Sequence, residues 1–216
     1  MQYEQTLDTL KQMIANGEDA SIGKNAKEAL AQGMDPLILI DELSAVLRQV
    51  GDKFSRNEIF LPEMMLSAEA FKAAMEVLKP KLLEKKAMNA RRGKVVMGTS
   101  EGDLHDIGKN IVATMLQCEG FDVYDIGVDA PAKKFIEKAE EVGADIIAAS
   151  ALMSSSMTYQ QDILSLLRRR GLRSKYKVMV GGGPVTPDWK DEIGADGYGK
   201  DSTEAVRVAK KLLSLT

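Results

Sequence analysis

The hydrophobic period of this chain changes once, near residue 93, and that change limits the possible folds more than any other feature. Up to about residue 88 the apolar residues recur at helical spacing, with no stretch that reads as a strand. Beyond it, short apolar runs near 94–99, 121–126, 145–150, 176–181 and 196–198 alternate with helical spacing near 107–119, 131–142, 155–170, 186–193 and 202–214. Strand-helix alternation with short connections predicts a parallel sheet covered on both faces. The expectation is an α + α/β chain: a four-helix bundle over 1–90, then a five-stranded Rossmann-like (flavodoxin-like) domain over 91–216.

In the first half, one helix is expected from about Tyr3 to Ala15, stopping at Asn16-Gly17, and a second from about Ala20 to Gln32, stopping at Gly33. Asp35-Pro36 supplies an N-cap and a first-turn proline for a third helix carrying Leu37, Ile40, Leu43, Val46, Leu47 and Val50. Asn57 to Leu61 breaks the pattern; Pro62 restarts it, with a wide apolar face from Met65 to Leu78 that ends at Lys79-Pro80. Short loops between such helices imply antiparallel packing. The charged stretch Glu84 to Gly93 reads as a solvated helix end and linker.

The balance of residues excludes several functions. A formal charge of −3 without a basic stripe, and only 5% aromatic residues, disfavour nucleic-acid binding. No apolar run approaches the ~20 residues of a membrane span, and Met1-Gln2-Tyr3-Glu4 does not begin a signal peptide, so no membrane association and a cytoplasmic location are expected. One cysteine and one histidine exclude an internal disulfide and the usual zinc sites. Cys118, on the apolar side of a predicted helix, reads as a small buried hydrophobe.

The lone histidine lies in Glu101-Gly102-Asp103-Leu104-His105-Asp106-Ile107-Gly108, between a predicted strand and a predicted helix. In an open parallel sheet that loop lies at the carboxyl ends of the strands, where ligands bind near the reversal of strand order. Two further signals share the edge: Ser150-Ala151-Leu152-Met153-Ser154-Ser155-Ser156 after the third strand, and Gly181-Gly182-Gly183-Pro184 after the fourth. Small residues at three strand ends leave a slot that a long ligand could fill, since interiors are packed to near crystal density. Taken singly, the serines read equally well as a helix N-cap and the glycines as a turn.

Together, Asp103-x-His105-x-x-Gly108, 41 residues, Ser150-x-Leu152, 28 residues and Gly181-Gly182 resemble the signature of base-off, histidine-on cobalamin-binding domains. A helical bundle ahead of such a domain is the arrangement of methylcobalamin-carrying proteins, in methionine synthase and in small corrinoid proteins of methyltransferase systems. Ile59-Phe60-Leu61-Pro62-Glu63, the His105 loop and Gly181 to Trp189 are most similar to corrinoid proteins of the methylamine group.

The resemblance implies that His105 is the axial ligand of cobalt in a cobalamin or related corrinoid, with Asp103 holding the other ring nitrogen and Ser156 completing a relay. Ser156 reads as readily as a plain N-cap. Gly102, Asp106, Ile107 and Gly108 would complete the loop's contacts to the cofactor; Asp106 also reads as a solvated charge at the helix start. Ser150, Leu152 and Ser154 would line the nucleotide tail, and Gly181 and Gly182 would let backbone approach it. Phe60, Met64 and Ser67 would cover the upper face of the corrin, although bundle core is the better reading of the methionine. Trp189 reads as structural or surface.

The implied function is a carrier, not catalytic alone, that accepts a methyl group on cobalt(I) from a methylated amine. The implied partners are a substrate-specific methyltransferase, a second methyltransferase acting on coenzyme M or tetrahydrofolate, and a reductive activase. The alternatives are a cobalamin-binding sensor, a mutase subunit and a receiver-like flavodoxin fold. A sensor would usually carry an added DNA-binding or signalling module, which is not seen here; a mutase subunit would generally lack the preceding bundle; and the last leaves the bundle, the lone histidine and the spacings unexplained.

Overall fold

The computed structural model describes residues 2–86 and 92–215. The chain divides into two compact units, 1–85 and 86–216. Of the expected linker, residues 87–91 lie outside the described residues.

The first unit is helical: α1 (Gln2–Asn16), α2 (Ile22–Ala31), α3 (Pro36–Ser55) and α4 (Leu61–Lys86). The start of α3 is the one its sequence specifies, with Pro36 in the first turn and the Asp35 carboxylate accepting the Leu37 amide at 2.8 Å. Leu10, Ile14, Ile22, Leu39, Ile40, Leu43, Phe71, Leu78 and Leu82 are its fully buried core. Fully burying each such side chain contributes about 1.5–3 kcal/mol. One expectation is corrected here: the last helix does not stop at Lys79-Pro80 but continues through Pro80. A proline inside a helix forfeits one hydrogen bond, and burial of Leu78 and Leu82 on either side carries the helix past it.

The second unit is the expected alternation: β1 (Gly93–Thr99), α5 (Ile107–Cys118), β2 (Phe121–Asp125), α6 (Ala132–Val142), β3 (Ile146–Ser150), α7 (Ser154–Met157), α8 (Tyr159–Arg169), β4 (Lys177–Gly181), α9 (Pro187–Ile193), β5 (Gly197–Gly199) and α10 (Ser202–Leu212). The helix expected near 155–170 is divided in two at Thr158. All strand pairs are parallel, in the order β2-β1-β3-β4-β5. Val96, Ile147 and Val178 stand in register and pack with Phe135, Ile136, Ile163, Leu164 and Leu167 from the helices of one face. Val95, Ile146 and Met179 are buried on the other face, and Cys118 is buried as expected. No described helix is long and apolar enough to cross a membrane.

The order reverses between β1 and β3, so the loops that follow these two strands flank the switch point. Those are the His105 loop and the Ser150–Ser156 loop.

Candidate functional site

The last residues of four adjacent strands form one row: Thr99 pairs with Ser150, Ser150 with Gly181, and Gly181 with Gly199. None carries a side chain larger than threonine, which opens the carboxyl edge. Ser100, next along from Thr99, is buried, and its hydroxyl has no hydrogen-bond partner among the described residues. A buried hydroxyl without a partner is costly in a finished interior, so it fits a site that a polar ligand completes.

Asp103 organises the edge. Its side chain is fully buried, and its Oδ1 accepts the His105 backbone amide at 3.0 Å and His105 Nδ1 at 2.6 Å. Its Oδ2 accepts the Leu152 amide at 2.7 Å, the Met153 amide at 3.3 Å and the Ser156 hydroxyl at 2.6 Å. Burial alone would raise its pKa, but hydrogen bonds from Ser156, the His105 and Leu152 amides and the His105 ring outweigh it and bring the carboxyl down to about 2. The group is therefore an anion at neutral pH and can only accept. The ring nitrogen that faces it must carry the proton, so neutral His105 has an unprotonated Nε2. That ring is about half exposed, at 48%.

The hydrogen bond from Ser156 separates the two readings of the serine run. Met153, not a serine, occupies the N-cap of α7, and Ser156 lies inside the turn, buried against Asp103. Ser150 is half-buried in the strand-end row, and Ser154 is exposed. Asp106 begins α5 without capping it; its carboxylate accepts from the Asn110 side chain at 3.1 Å. Ile107 is half-buried and Gly108 exposed, with open space where a Cβ would stand.

Gly102 and Gly182 have positive φ, +77° and +123°, which a side chain rarely adopts. At Gly182 the demand comes from the protein itself, since a Cβ would stand 1.8 Å from the Ala151 carbonyl oxygen. A Cβ at Gly181 would meet the Gly199 carbonyl oxygen at 2.8 Å. These glycines permit close strand-end packing before any ligand is considered. Large apolar side chains nevertheless stand exposed around the edge: Leu104 at 73%, Leu152 at 48%, with Met153 and Tyr159.

In the first unit, Phe60 is exposed at 78%, as are Leu61, Met65 and Leu66, and Met64 is half-buried. Ser67 is buried, and its hydroxyl donates to the Glu63 carbonyl at 3.1 Å.

Residues that sequence reasoning passed over also shape the edge. Gln160 is fully buried; its amide nitrogen donates to the Ala149 and Gly181 carbonyls at 3.0 and 3.1 Å, and its oxygen accepts from Trp189 Nε1 at 3.1 Å. Trp189 thus has a structural bond to the strand ends. Lys109 is buried beside Asp125, to which it donates. The sequence held a faint signal for the latter pair, a lysine directly after Gly108 and an aspartate ending a strand.

A family model described as "B12 binding domain" matches residues 93–207, and a second model of the same description matches 6–79. "Trimethylamine corrinoid protein 1" of Methanosarcina mazei is 44% identical over 211 residues, 97% of this chain and 98% of that protein. The structure of the Methanosarcina barkeri monomethylamine corrinoid protein matches with a TM-score of 0.91 at 40% identity, over 97% of this chain and 99% of that one. A chain of the methanol:cobalamin methyltransferase complex from Methanosarcina barkeri matches with a TM-score of 0.55 at 29% identity, over 99% of this chain and 81% of that one.

Proposed function

We infer function from a plain premise: this chain belongs to the B12-binding corrinoid proteins of methylamine methyltransferase systems. It binds a corrinoid and carries methyl groups in partnership with methyltransferases. The reading proposed beyond this is base-off and histidine-on, with His105 Nε2 as the axial ligand of cobalt. The observation that carries it is the bond from His105 Nδ1 to a buried, anionic Asp103, which leaves Nε2 bare and turned away from the protein's own acceptor.

When bound, the corrinoid supplies a cobalt centre that takes up a methyl group and releases it to an acceptor. The residues of this chain set the terms. Asp103 fixes the tautomer and the orientation of the ring, as carboxylates do behind metal-bound imidazoles. Whether or not the ring holds a metal, the Asp103 anion beside Nδ1 would keep that nitrogen the protonated one and Nε2 the one open to a ligand. Ser156 and the Leu152 and Met153 amides keep Asp103 charged through both states. The small row Thr99, Ser150, Gly181 and Gly199 and the hydroxyl of Ser100 suit the nucleotide tail, with Leu152 and Ser154 at its margin. Phe60 and Met64 are proposed to meet the upper face of the corrin.

The partners proposed are a methyltransferase specific for a methylated amine, a second one acting on coenzyme M or tetrahydrofolate, and a reductive activase. The donor is a methylated amine; relatives named for trimethylamine and monomethylamine are similar to this chain at 44% and 40% identity, so donor choice is assigned to the partner methyltransferase. The test is reconstitution with cobalamin and reduction, followed by incubation with partner methyltransferases and a panel of methylated amines. Stoichiometric cobalt and methylation that depends on one amine and its methyltransferase are expected. Stoichiometric binding without methylation by any amine would contradict the carrier role and favour a sensor.

A further inference from the structure

Asp129 belongs to none of the motifs that mark the site. It lies in the loop between β2 and α6, exposed, with its backbone in the left-handed region at φ 48°. Aspartate tolerates that region better than most residues. The conformation directs two of its groups at the His105 loop. Its Oδ1 accepts the Gly102 amide at 2.7 Å, and its own amide donates to the Asp103 carbonyl at 2.9 Å. Gly102, at φ +77°, presents its amide to that carboxylate from a conformation few other residues would adopt.

The loop that carries Asp129 is fastened on both sides. The Ala130 amide donates to the Thr99 carbonyl and the Thr99 amide to the Gly127 carbonyl, each at 2.9 Å, while Thr99 Oγ1 donates to the His105 carbonyl at 2.8 Å. At its start, Asp125 accepts the Gly127 amide at 2.9 Å and the buried Lys109 ammonium, which donates also to Asn110 Oδ1 at 2.7 Å. Lys109 and Asn110 lie in the first turns of α5, immediately after the His105 loop. The loop 125–130 therefore ties the end of β1, the start of α5 and the backbone of residues 102 and 103 into one body.

We propose that Asp129 is a positioning residue for the axial histidine, acting through Gly102 and Asp103 to fix where His105 Nε2 stands. The proposal rests on the reading of His105 as cobalt ligand. Asp103 is held from two directions. Its carboxylate is bound by residues 152–156 and its carbonyl by the Asp129 backbone amide, which the Asp129 side chain holds in place through its bond to the Gly102 amide. Coordination geometry is lost when such support is loose. Asp129 is exposed, so the core does not depend on it.

The test compares Asp129→Ala with Asp129→Asn in the full chain. Asparagine keeps an acceptor oxygen and accepts left-handed backbone; alanine does neither. In the apo protein, amide exchange at Gly102 and the ring-nitrogen signals of His105, unambiguous for the only histidine, are measured. In the cobalamin-loaded protein, affinity and the axial-nitrogen coupling in the cobalt(II) EPR spectrum are measured. Asp129→Ala should speed Gly102 exchange, weaken cobalamin binding about tenfold and give a mixture of histidine-bound and histidine-free spectra, with the melting temperature lowered by only a few degrees for the strained backbone. Asp129→Asn should restore wild-type behaviour. Intact wild-type coupling that persists unchanged in Asp129→Ala would overturn this proposal alone. Wild-type protein without histidine coupling would remove the ligand reading and the proposal with it.

Discussion

The two ends of the sheet use the same kinds of groups to opposite effect. At the amino edge, Asp145 accepts the Lys94 amide at 2.8 Å and Lys94 Nζ donates to the Val142 carbonyl at 2.8 Å. Asp196 takes the Val178 amide at 2.7 Å and Arg173 at 2.9 Å, while Arg173 and Arg168 also donate to the Gly194 and Ile193 carbonyls at 2.8 and 2.7 Å. These charges close the protein on itself. At the carboxyl edge, Asp103 gathers its donors and, through one of them, holds a ring with a bare nitrogen toward solvent. The amino edge serves stability, the carboxyl edge is proposed to serve binding, and Asp103 takes part in both roles.

That double role gives the largest expected effect. Asp103→Ala removes an acceptor shared by the Leu152 and Met153 amides, the Ser156 hydroxyl and two His105 donors. Urea unfolding of the apo protein should show a loss of about 3–5 kcal/mol, because buried donors are left without partners. A loss below about 1 kcal/mol would show that the carboxylate does not organise this edge. The same group sets an acid limit. Its folded pKa, about 2, lies below the ordinary 3.8, so its stabilisation is complete above about 3.8 and is lost as pH falls toward 2. Wild-type apo protein should lose stability in that window, and Asp103→Ala should lose less.

Next come two glycines at the same edge. Gly182→Ala should cost about 2–4 kcal/mol, since its φ is +123° and the new Cβ would stand 1.8 Å from the Ala151 carbonyl oxygen. Gly108→Ala meets open space and should change stability by no more than about 1 kcal/mol, in the favourable direction if the helix start gains from alanine. Equal effects in thermal melts would mean that the edge is not shaped by the contact of residue 182 with residue 151.

The sharpest contrast between the edges pairs Asp196→Ala with His105→Ala. The first should cost about 1–3 kcal/mol of stability and leave cobalamin affinity unchanged. The second should cost apo stability no more than about 1–2 kcal/mol, for the ring's bond to Asp103, and weaken cobalamin binding ~10–100-fold. Calorimetry of both variants decides the matter; a loss of affinity in Asp196→Ala to match that of His105→Ala would dissolve the distinction.

What the sequence made legible follows the range of the interactions. The change of hydrophobic period is local, so the helical half, the strands and their parallel order were expected to within a few residues. The loop of His105 and the small strand ends were legible because backbone geometry demands specific residue types there. Asp129 and Gln160 were not legible, and the Lys109–Asp125 pair only faintly. Each acts on a partner well separated in the chain, Asp129 on Gly102 across 27 residues, and a lone aspartate or lysine looks the same whether it is solvated or clamped. Ser156 was ambiguous for the same reason, since its partner is 53 residues away. Pro80 misled because local propensity favours a stop and only the packing of Leu78 and Leu82 overrides it.

The central claim is that His105 Nε2, and not the corrinoid's own base, occupies the axial position. The direct measurement is the cobalt(II) EPR spectrum of protein grown with heavy-nitrogen histidine, compared with unlabelled protein loaded with the same cobalamin. Because His105 is the only histidine, any isotope effect belongs to it. The axial-nitrogen triplet of the unlabelled sample should become a doublet in the labelled one. A triplet that ignores the histidine label, and changes only when the nitrogens of the corrinoid's benzimidazole are replaced, would contradict the account.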